Sequence, residues 1–572
     1  MHRLNQKKPN AMNTTSAPRG HHAHDAHNAQ QRPAEWLLTG IPRLTSDAPD
    51  APSSFTAASL DHLADVRGDF ACGHQTPDGH TVLAVDRFSM QTLCWREDRG
   101  VVRFASRADD LAQGCEIDPQ ALFDYLFFHV IPSPRTIWKG VHRLPPGRVL
   151  HARDGRINVQ AWWTPRFRPT AKAGFDERAA EFRQLLQAAV TAQLDGGKAG
   201  CFLSGGTDSS TVAGMIGRAT GHPAATYSIG FDAEGYDEME YARLAARHFG
   251  TEHHEYYVTP ADLVKGIPIV AASYDQPFGN SSALPAYYCA DMARADGVTR
   301  ILAGDGGDEL FGGNTRYAKQ RVFGHYDRVP QAARRALIEP LALSGLARSL
   351  PGLRKVASYV QQAKLGLPAR LETYNLLQRL GIENILTARF LDAVDTDDPA
   401  RQQQAVWNES AGASVLNRQL AFDWRYTLAD ADLPKVRGTA ALAGVAVGFP
   451  MLDQRLVDFS QTLPDSDKLR GNRLRWFFKE ALRGFLPDEI LSKKKQGFGL
   501  PFGPWLLKDA ALRGLATVSL SSLAGRGIVR PTFTDDLMRV KIHEHPGFYG
   551  EMVWILMMLE QWLAVHAPAY KI

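Results

Sequence analysis

Two hydrophobic rhythms divide the chain. From Glu35 to Phe167, short β-type runs such as Thr81-Val-Leu-Ala-Val85 and Val101-Val-Arg-Phe-Ala105 alternate with turn residues, and one helix-like segment, Pro119 to Val130, interrupts them. Asp176 then stands where it can cap a helix in which Phe182, Leu185, Leu186, Ala189 and Val190 recur at helical spacing. That helix leads into a short apolar strand, Ala199 to Leu203. Further strands are expected at Ala225 to Gly230, His253 to Val258 and Arg300 to Ala303, separated by helices such as Ser210 to Ala219 and Glu238 to Phe249. Strand alternating with helix predicts an α/β fold, with a parallel sheet whose ligands lie beyond the carboxyl ends of its strands. Past residue 320 the pattern is helical almost to the end.

The stretches without either rhythm set the boundaries. Residues 1–34 are polar and rich in Ala, Asn and His, so they cannot bury enough surface to fold. His21, His22, His24 and His27 in this tail have no carboxylate or thiol to complete a shaped metal site, and a solvated tail is the expectation. Thr164 to Ala173, with Pro165 and Pro169 among basic residues, reads as a linker. The expected plan is therefore a tail over 1–34, a β-rich domain over 35–167 and an α/β domain with a helical C-terminal part over 168–572.

Composition narrows the function classes. At 572 residues the chain exceeds one hydrophobic core. Its 44% hydrophobic and 22% charged residues are ordinary for a globular protein, and a net charge of +4 gives no warrant for a nucleic-acid partner. Five cysteines lie scattered without C-x-x-C spacing, which suggests neither disulfides nor zinc. The longest apolar run, Ala440 to Leu452, is broken by Gly444, Gly448 and Pro450 and is shorter than the roughly 20 residues of a membrane helix. No hydrophobic signal segment opens the sequence, so a cytoplasmic protein is expected.

The chemistry starts at Leu203-Ser-Gly-Gly-Thr-Asp-Ser-Ser210, where a strand runs through glycines and hydroxyls into a helix. Backbone N–H groups and the positive end of the helix dipole would face an anion, with Ser204, Ser209 and Ser210 as extra hydroxyl donors. No Lys follows the glycines, so this is not the loop that grips a terminal phosphate. It resembles the S-G-G-x-D-S pyrophosphate loop of enzymes that split ATP between its α and β phosphates.

Further stretches follow in a fixed order: Tyr227-Ser-Ile-Gly-Phe231, Tyr236-Asp-Glu238, Gly250-Thr-Glu-His-His254, Asp275-Gln-Pro277, Ala303-Gly-Asp-Gly-Gly-Asp-Glu-Leu-Phe-Gly-Gly313 and Lys495-Gln-Gly-Phe-Gly-Leu-Pro501. Together with Arg67-Gly-Asp-Phe-Ala71 and Asp86-Arg-Phe88, they resemble the asparagine synthetase family over about residues 66 to 566. The resemblance implies an Ntn-type glutaminase-like N-terminal domain followed by an adenine-nucleotide α-hydrolase-like synthetase domain. It implies ATP and Mg²⁺, with Asp208 and Asp308 as metal ligands. Leu203, Ser204, Gly205, Gly206, Asp208, Ser209, Ile229, Gly304 and Asp305 would hold the nucleotide. Asp305 and Lys495 would be catalytic, Lys495 as a cation against the reacting phosphate and carbonyl. The implied reaction makes an acyl-adenylate from a carboxylate and ATP, which an amine converts to an amide and AMP.

Departures from the family pattern point to the substrate. The glutaminase domain needs a Cys directly after the initiator Met, but His2 stands there, and the family's Asn-Gly-Glu segment is not found. Cys72 falls inside a strand, where packing is the expectation. A truncated scaffold without glutamine hydrolysis follows. In Thr439-Ala-Ala-Leu-Ala-Gly-Val-Ala-Val-Gly-Phe-Pro-Met-Leu-Asp453, Ala446 replaces the family Glu and Gly448 the family Arg, so an apolar, roomier pocket is expected. This resembles the lasso-peptide macrolactam cyclases, whose partner is a precursor peptide freed by a leader protease. An ammonia-dependent asparagine synthetase or a small-molecule lactam synthetase is the alternative. A non-catalytic scaffold is opposed by intact Ser204, Asp208, Asp308 and Lys495.

Overall fold

The N-terminal strands are stacked so that both faces of their sheet are covered. A computed structural model describes residues 35–44, 56–170, 174–342, 351–494 and 499–572; the His-rich tail and Lys495 lie outside them. Strands β1 (Glu35–Gly40), β2 (Phe70–Gln75), β3 (Thr81–Val85), β4 (Cys94–Asp98) and β5 (Val101–Ala105) precede helix α1 (Pro119–Phe128), which is followed by β6 (His142–Arg143), β7 (Arg148–Arg153) and β8 (Arg156–Ala161). They form an antiparallel five-stranded sheet in the order β1-β2-β3-β7-β8 and a three-stranded sheet β5-β4-β6. Phe70, Cys72, Val82 and Ala84 pack on Leu60 and Leu63, while Ala71, Leu83 and Val85 pack on Leu93, Val102 and Phe104. Burial on both faces is why β3 reads as a continuous apolar run instead of an alternation.

Helix α1 is capped by Asp118, which accepts from Gln120 N–H, and it stops at Phe128 because His129 takes the left-handed conformation at φ 64°. The expected end at Val130 is thus two residues too far. Its apolar side joins the core of the C-terminal helices, where the Tyr125 hydroxyl donates to Ile555 O at 2.8 Å. The stretch read as a linker is tethered: Arg168 N–H donates to Gln461 O at 3.0 Å and Thr170 N–H to Thr462 O at 2.9 Å.

The second region follows the expected alternation closely. It runs through α2 (Phe175–Thr191), β9 (Ala199–Phe202), α3 (Thr207–Thr220), β10 (Ala225–Phe231), α4 (Met239–Phe249), β11 (Glu252–Val258), β12 (Arg300–Leu302) and α5 (Gly307–Phe311). Gly174, not Asp176, is the N-cap of α2, and Asp176 sits in the first turn, where its charge still faces the positive helix end. Later come α6 (Leu433–Ala443), β13 (Ala446–Gly448), α7 (Trp476–Ala481), α8 (Asp488–Ser492) and α9 (Pro546–His566). The sheet order is β11-β10-β9-β12-β13, with every pairing parallel. Strand β13 was hidden inside a region read as helical, because three residues that include Gly448 carry no periodicity of their own. The chain leaves β9 toward β11 and returns on the other side at β12, and this reversal opens a crevice at the carboxyl ends of β9 and β12. No described helix is long and apolar enough to cross a membrane.

Candidate active site

The crevice is filled by the two glycine-rich turns. The turn after β9 runs from Leu203 to Gly206, and Gly206 is the N-cap of α3 with no side-chain cap bond, which leaves the first-turn N–H groups facing outward. Gly205 takes φ 65°, and a Cβ there would strike the backbone of Tyr241 and Ala242 on α4. The turn after β12 comes so close that a Cβ on Gly304 would lie 2.8 Å from Ser209 N. Ser204 and Ser209 share a hydroxyl–hydroxyl bond of 3.0 Å at the floor.

A cleft of about 1060 Å³ opens from this floor, lined by Ser204, Gly206, Asp208 and Ser209 on one side and Arg475, Lys479, Lys493 and Lys494 on the other. Asp208, in the first turn of α3, and Asp308, in the first turn of α5, converge on one guanidinium. Arg475 is ion-paired with Asp208, lies 2.8 Å from Asp308 Oδ1 and donates to Thr207 Oγ1 at 2.8 Å. Glycines make this convergence possible, since a Cβ on Gly307 would overlap Asp208 and one on Gly313 would overlap Asp308. Two carboxylates from neighbouring turns beside an anion cradle suit a hard divalent cation that completes its shell with phosphate oxygens. Among the described residues another group, Glu252, His254 and Asp296, could also ligate a metal, but Lys198 Nζ already lies 2.7 Å from Asp296 and 3.1 Å from Glu252.

Asp305 sits half-buried on the same turn as Gly304. Burial pushes its carboxyl up to about 6, with Lys435 opposing and Asp432 adding to the shift. Lys435 Nζ is in turn held 2.8 Å from Asp432.

The other expected site residues are placed unevenly. Leu203 has its side chain in the core, its N–H donates to Tyr227 O at 2.9 Å, and its carbonyl accepts from the Ser228 hydroxyl. Ile229 is half-buried near the carboxyl end of β10. Ser210, expected to offer a hydroxyl, is fully buried on α3 because its position in the helix turns it inward. Asp275 accepts Ala108 N–H at 2.9 Å and thus ties the N-terminal region to the second region, and it does not line the cleft. Lys493 of the basic run pairs with Glu238 at 3.1 Å, and Lys494 lines the cleft beside it. The apolar pocket expected from Ala446 and Gly448 takes a different form. Ala446 is exposed and neither residue lines this cleft. A Cβ on Gly448 would run into Gln193 and lie 2.8 Å from Leu302, so that site is filled by packing and not left open. Arg475 was missed: a lone Arg before an aromatic run carries no signal until tertiary structure sets it between two acids.

The Asparagine synthase family model matches residues 181–564, which takes in the whole parallel sheet, both glycine turns and the cleft. The chain belongs to the asparagine synthase family. The Glutamine amidotransferase domain model matches residues 46–163, the β-rich region. Among curated relatives, asparagine synthetase (glutamine-hydrolyzing) 1 of Bacillus subtilis (strain 168) is 26% identical over 78% of this chain and 69% of its own length. Asparagine synthetase (glutamine-hydrolyzing) 3 of the same strain is 26% identical over 64% of this chain and 55% of its own. Amidase chyE of Penicillium rubens is 23% identical over 81% and 74%. Membership fits the α/β architecture, with a glutamine-amidotransferase-like region ahead of a parallel-sheet synthase region.

Proposed function

We propose that this chain is an ATP-dependent, AMP-forming carbon–nitrogen ligase that adenylates a carboxylate and passes it to an amine. The single observation that carries this is the meeting of Asp208 and Asp308 across a cradle of Ser204, Gly206 and Ser209 at the sheet's reversal point. The first-turn N–H groups of α3 receive the phosphates, and the Ser204 and Ser209 hydroxyls orient them. Asp208 and Asp308 would hold a divalent ion, which would supply positive charge against the pyrophosphate that leaves. Asp305, poised near neutrality, accepts the proton that the attacking nitrogen loses. Lys495 acts as the cation at the reacting phosphate.

Within this class the substrate is a ribosomal peptide of the lasso type, whose own N-terminal amine closes a macrolactam on an Asp or Glu side chain after a leader protease has freed it. The support is the sequence departure itself, since Ala446 and Gly448 stand where the family resemblance implies Glu and Arg, although neither lines the cleft. One pocket holding both ends makes the attack intramolecular, with effective molarities of roughly 10⁵ M or more. The buried Cys72, whose thiol is pushed up to about 12 by burial, supports an N-terminal region that serves as scaffold without hydrolysing glutamine. The second reading, an ammonia-dependent asparagine synthetase, is favoured by the charged lining of the cleft and by the activity in the relatives' names. Purified protein offered leaderless precursor or aspartate plus ammonia, with Mg·ATP, separates the two by which acceptor yields AMP.

A further inference from the structure

Arg475 has the marks of a residue held for a purpose other than packing. It takes φ 54° and ψ 39°, the left-handed region that β-carbon-bearing residues avoid, and its N–H is fastened to Gly312 O at 3.2 Å. Its side chain is only 7% exposed, with the guanidinium 4.5 Å from the ring centre of Phe478. Two acids on two different turns share it, yet its buried Nε has no hydrogen-bond partner among the described residues.

From this geometry we infer that Arg475 is an internal counter-cation that occupies the divalent ion's place until nucleotide arrives. This rests on the reading that Asp208 and Asp308 take the metal. Without a cation between them the two carboxylates would repel each other in a poorly solvated site, and the guanidinium keeps them together in the geometry the ion needs. Guanidinium and divalent ion cannot share those oxygens, because two cations at hydrogen-bond range in a buried site repel. The guanidinium therefore withdraws when metal binds, and a polyphosphate in the cleft offers its planar donors, Nε included, a replacement partner. Metal binding becomes conditional on nucleotide. If the open form is a minor state of about 10% or less, the ion's apparent affinity for the nucleotide-free protein is cut about tenfold or more.

Mn²⁺ titration of the full chain, read by water-proton relaxation, tests this without turnover. In the absence of nucleotide, Arg475→Met should bind Mn²⁺ at least about tenfold more tightly than the unaltered protein. Arg475→Lys, a point charge that cannot bridge both acids, should fall between them and serves if the Met variant does not fold. Asp308→Asn should lose the site with or without a non-hydrolysable ATP analogue. Mn²⁺ affinity in both Arg475 variants within about twofold of the unaltered protein, with Asp308→Asn still losing it, overturns this inference and leaves the ligase reading standing. Undiminished Mn²⁺ binding in Asp308→Asn with the analogue present removes the metal assignment, and the inference with it.

Discussion

Asp86, buried in the turn after β3, and the half-buried pair Asp208 and Asp308 are carboxylates stabilised in opposite ways. Asp86 accepts main-chain N–H bonds from Phe88 at 2.9 Å, Met90 and Gln91 at 3.1 Å and Phe70 at 3.2 Å. Burial nevertheless pushes its carboxyl up to about 6. Those donors cannot leave without unmaking the turn, so the group is a structural keystone with no room for chemistry. Asp208 and Asp308 are held by a side chain, Arg475, beside an open cleft. A side-chain partner can be exchanged for a metal ion where main-chain donors cannot. Asp86 thus fixes the structure of the glutamine-amidotransferase-like region, whereas Asp208 and Asp308 face the cleft of the synthase region.

The largest expected effect separates these two arrangements. Asp208→Asn and Asp308→Asn, which leave Arg475 an acceptor, should each lower AMP formation by about 10³-fold or more with unchanged circular dichroism. Asp86→Ala should instead destabilise the fold by about 3 kcal/mol or more, because several N–H groups lose their acceptor. A melting temperature for Asp86→Ala equal to that of the unaltered protein would break the contrast.

Asp305 gives a smaller, pH-dependent effect. Its folded-state carboxyl titrates near 6, above the ordinary value, so as a proton acceptor it is disabled below that pH and competent above it. Single-turnover amide formation should therefore rise through about pH 6, a midpoint set first by burial and then by Lys435, Asp432 and Asp308. Asp305→Asn should slow this step about 10²-fold, flatten the limb and leave adenylate formation in place. A rate independent of pH in the unaltered protein would remove Asp305 from the role.

Lys468 is a third kind of buried charge, donating to Asn417 Oδ1 at 2.8 Å. Burial lowers its ammonium to about 7, against the opposing pull of Asp465. The unfolded chain keeps this proton up to about pH 10.4, so between these limits the unfolded state binds more protons and stability rises with pH. Lys468→Met should abolish that rise in denaturant titrations at pH 7 and pH 9; an unchanged slope would reassign it. The smallest effect concerns glutamine, from which the protein should release no glutamate above a no-enzyme control. Measurable hydrolysis would show that the N-terminal region is more than scaffold.

Much of the fold and of the cleft is legible in the sequence. The glycine turns, their strands and the acids beside them are local in sequence, so the positions of Ser204, Ser209, Asp208 and Asp308 followed from motif and alternation. What escaped depends on partners far along the chain. Arg475 acquires meaning only 267 residues from Asp208. Strand β13 exists because β12 offers it an edge, with Leu302 opposite Gly448. The pocket expected at Gly448 is occupied by Gln193, which no pattern around residue 448 could announce.

We propose that the cleft adenylates a carboxylate and joins it to an amine of the same peptide. The most direct measurement is a paired assay of AMP release and intact peptide mass, with leaderless precursor, Mg·ATP and purified full-length protein. One AMP should appear for each peptide that becomes lighter by one water. Formation of ADP in place of AMP would contradict the chemistry, and faster conversion of aspartate and ammonia to asparagine would contradict the peptide substrate.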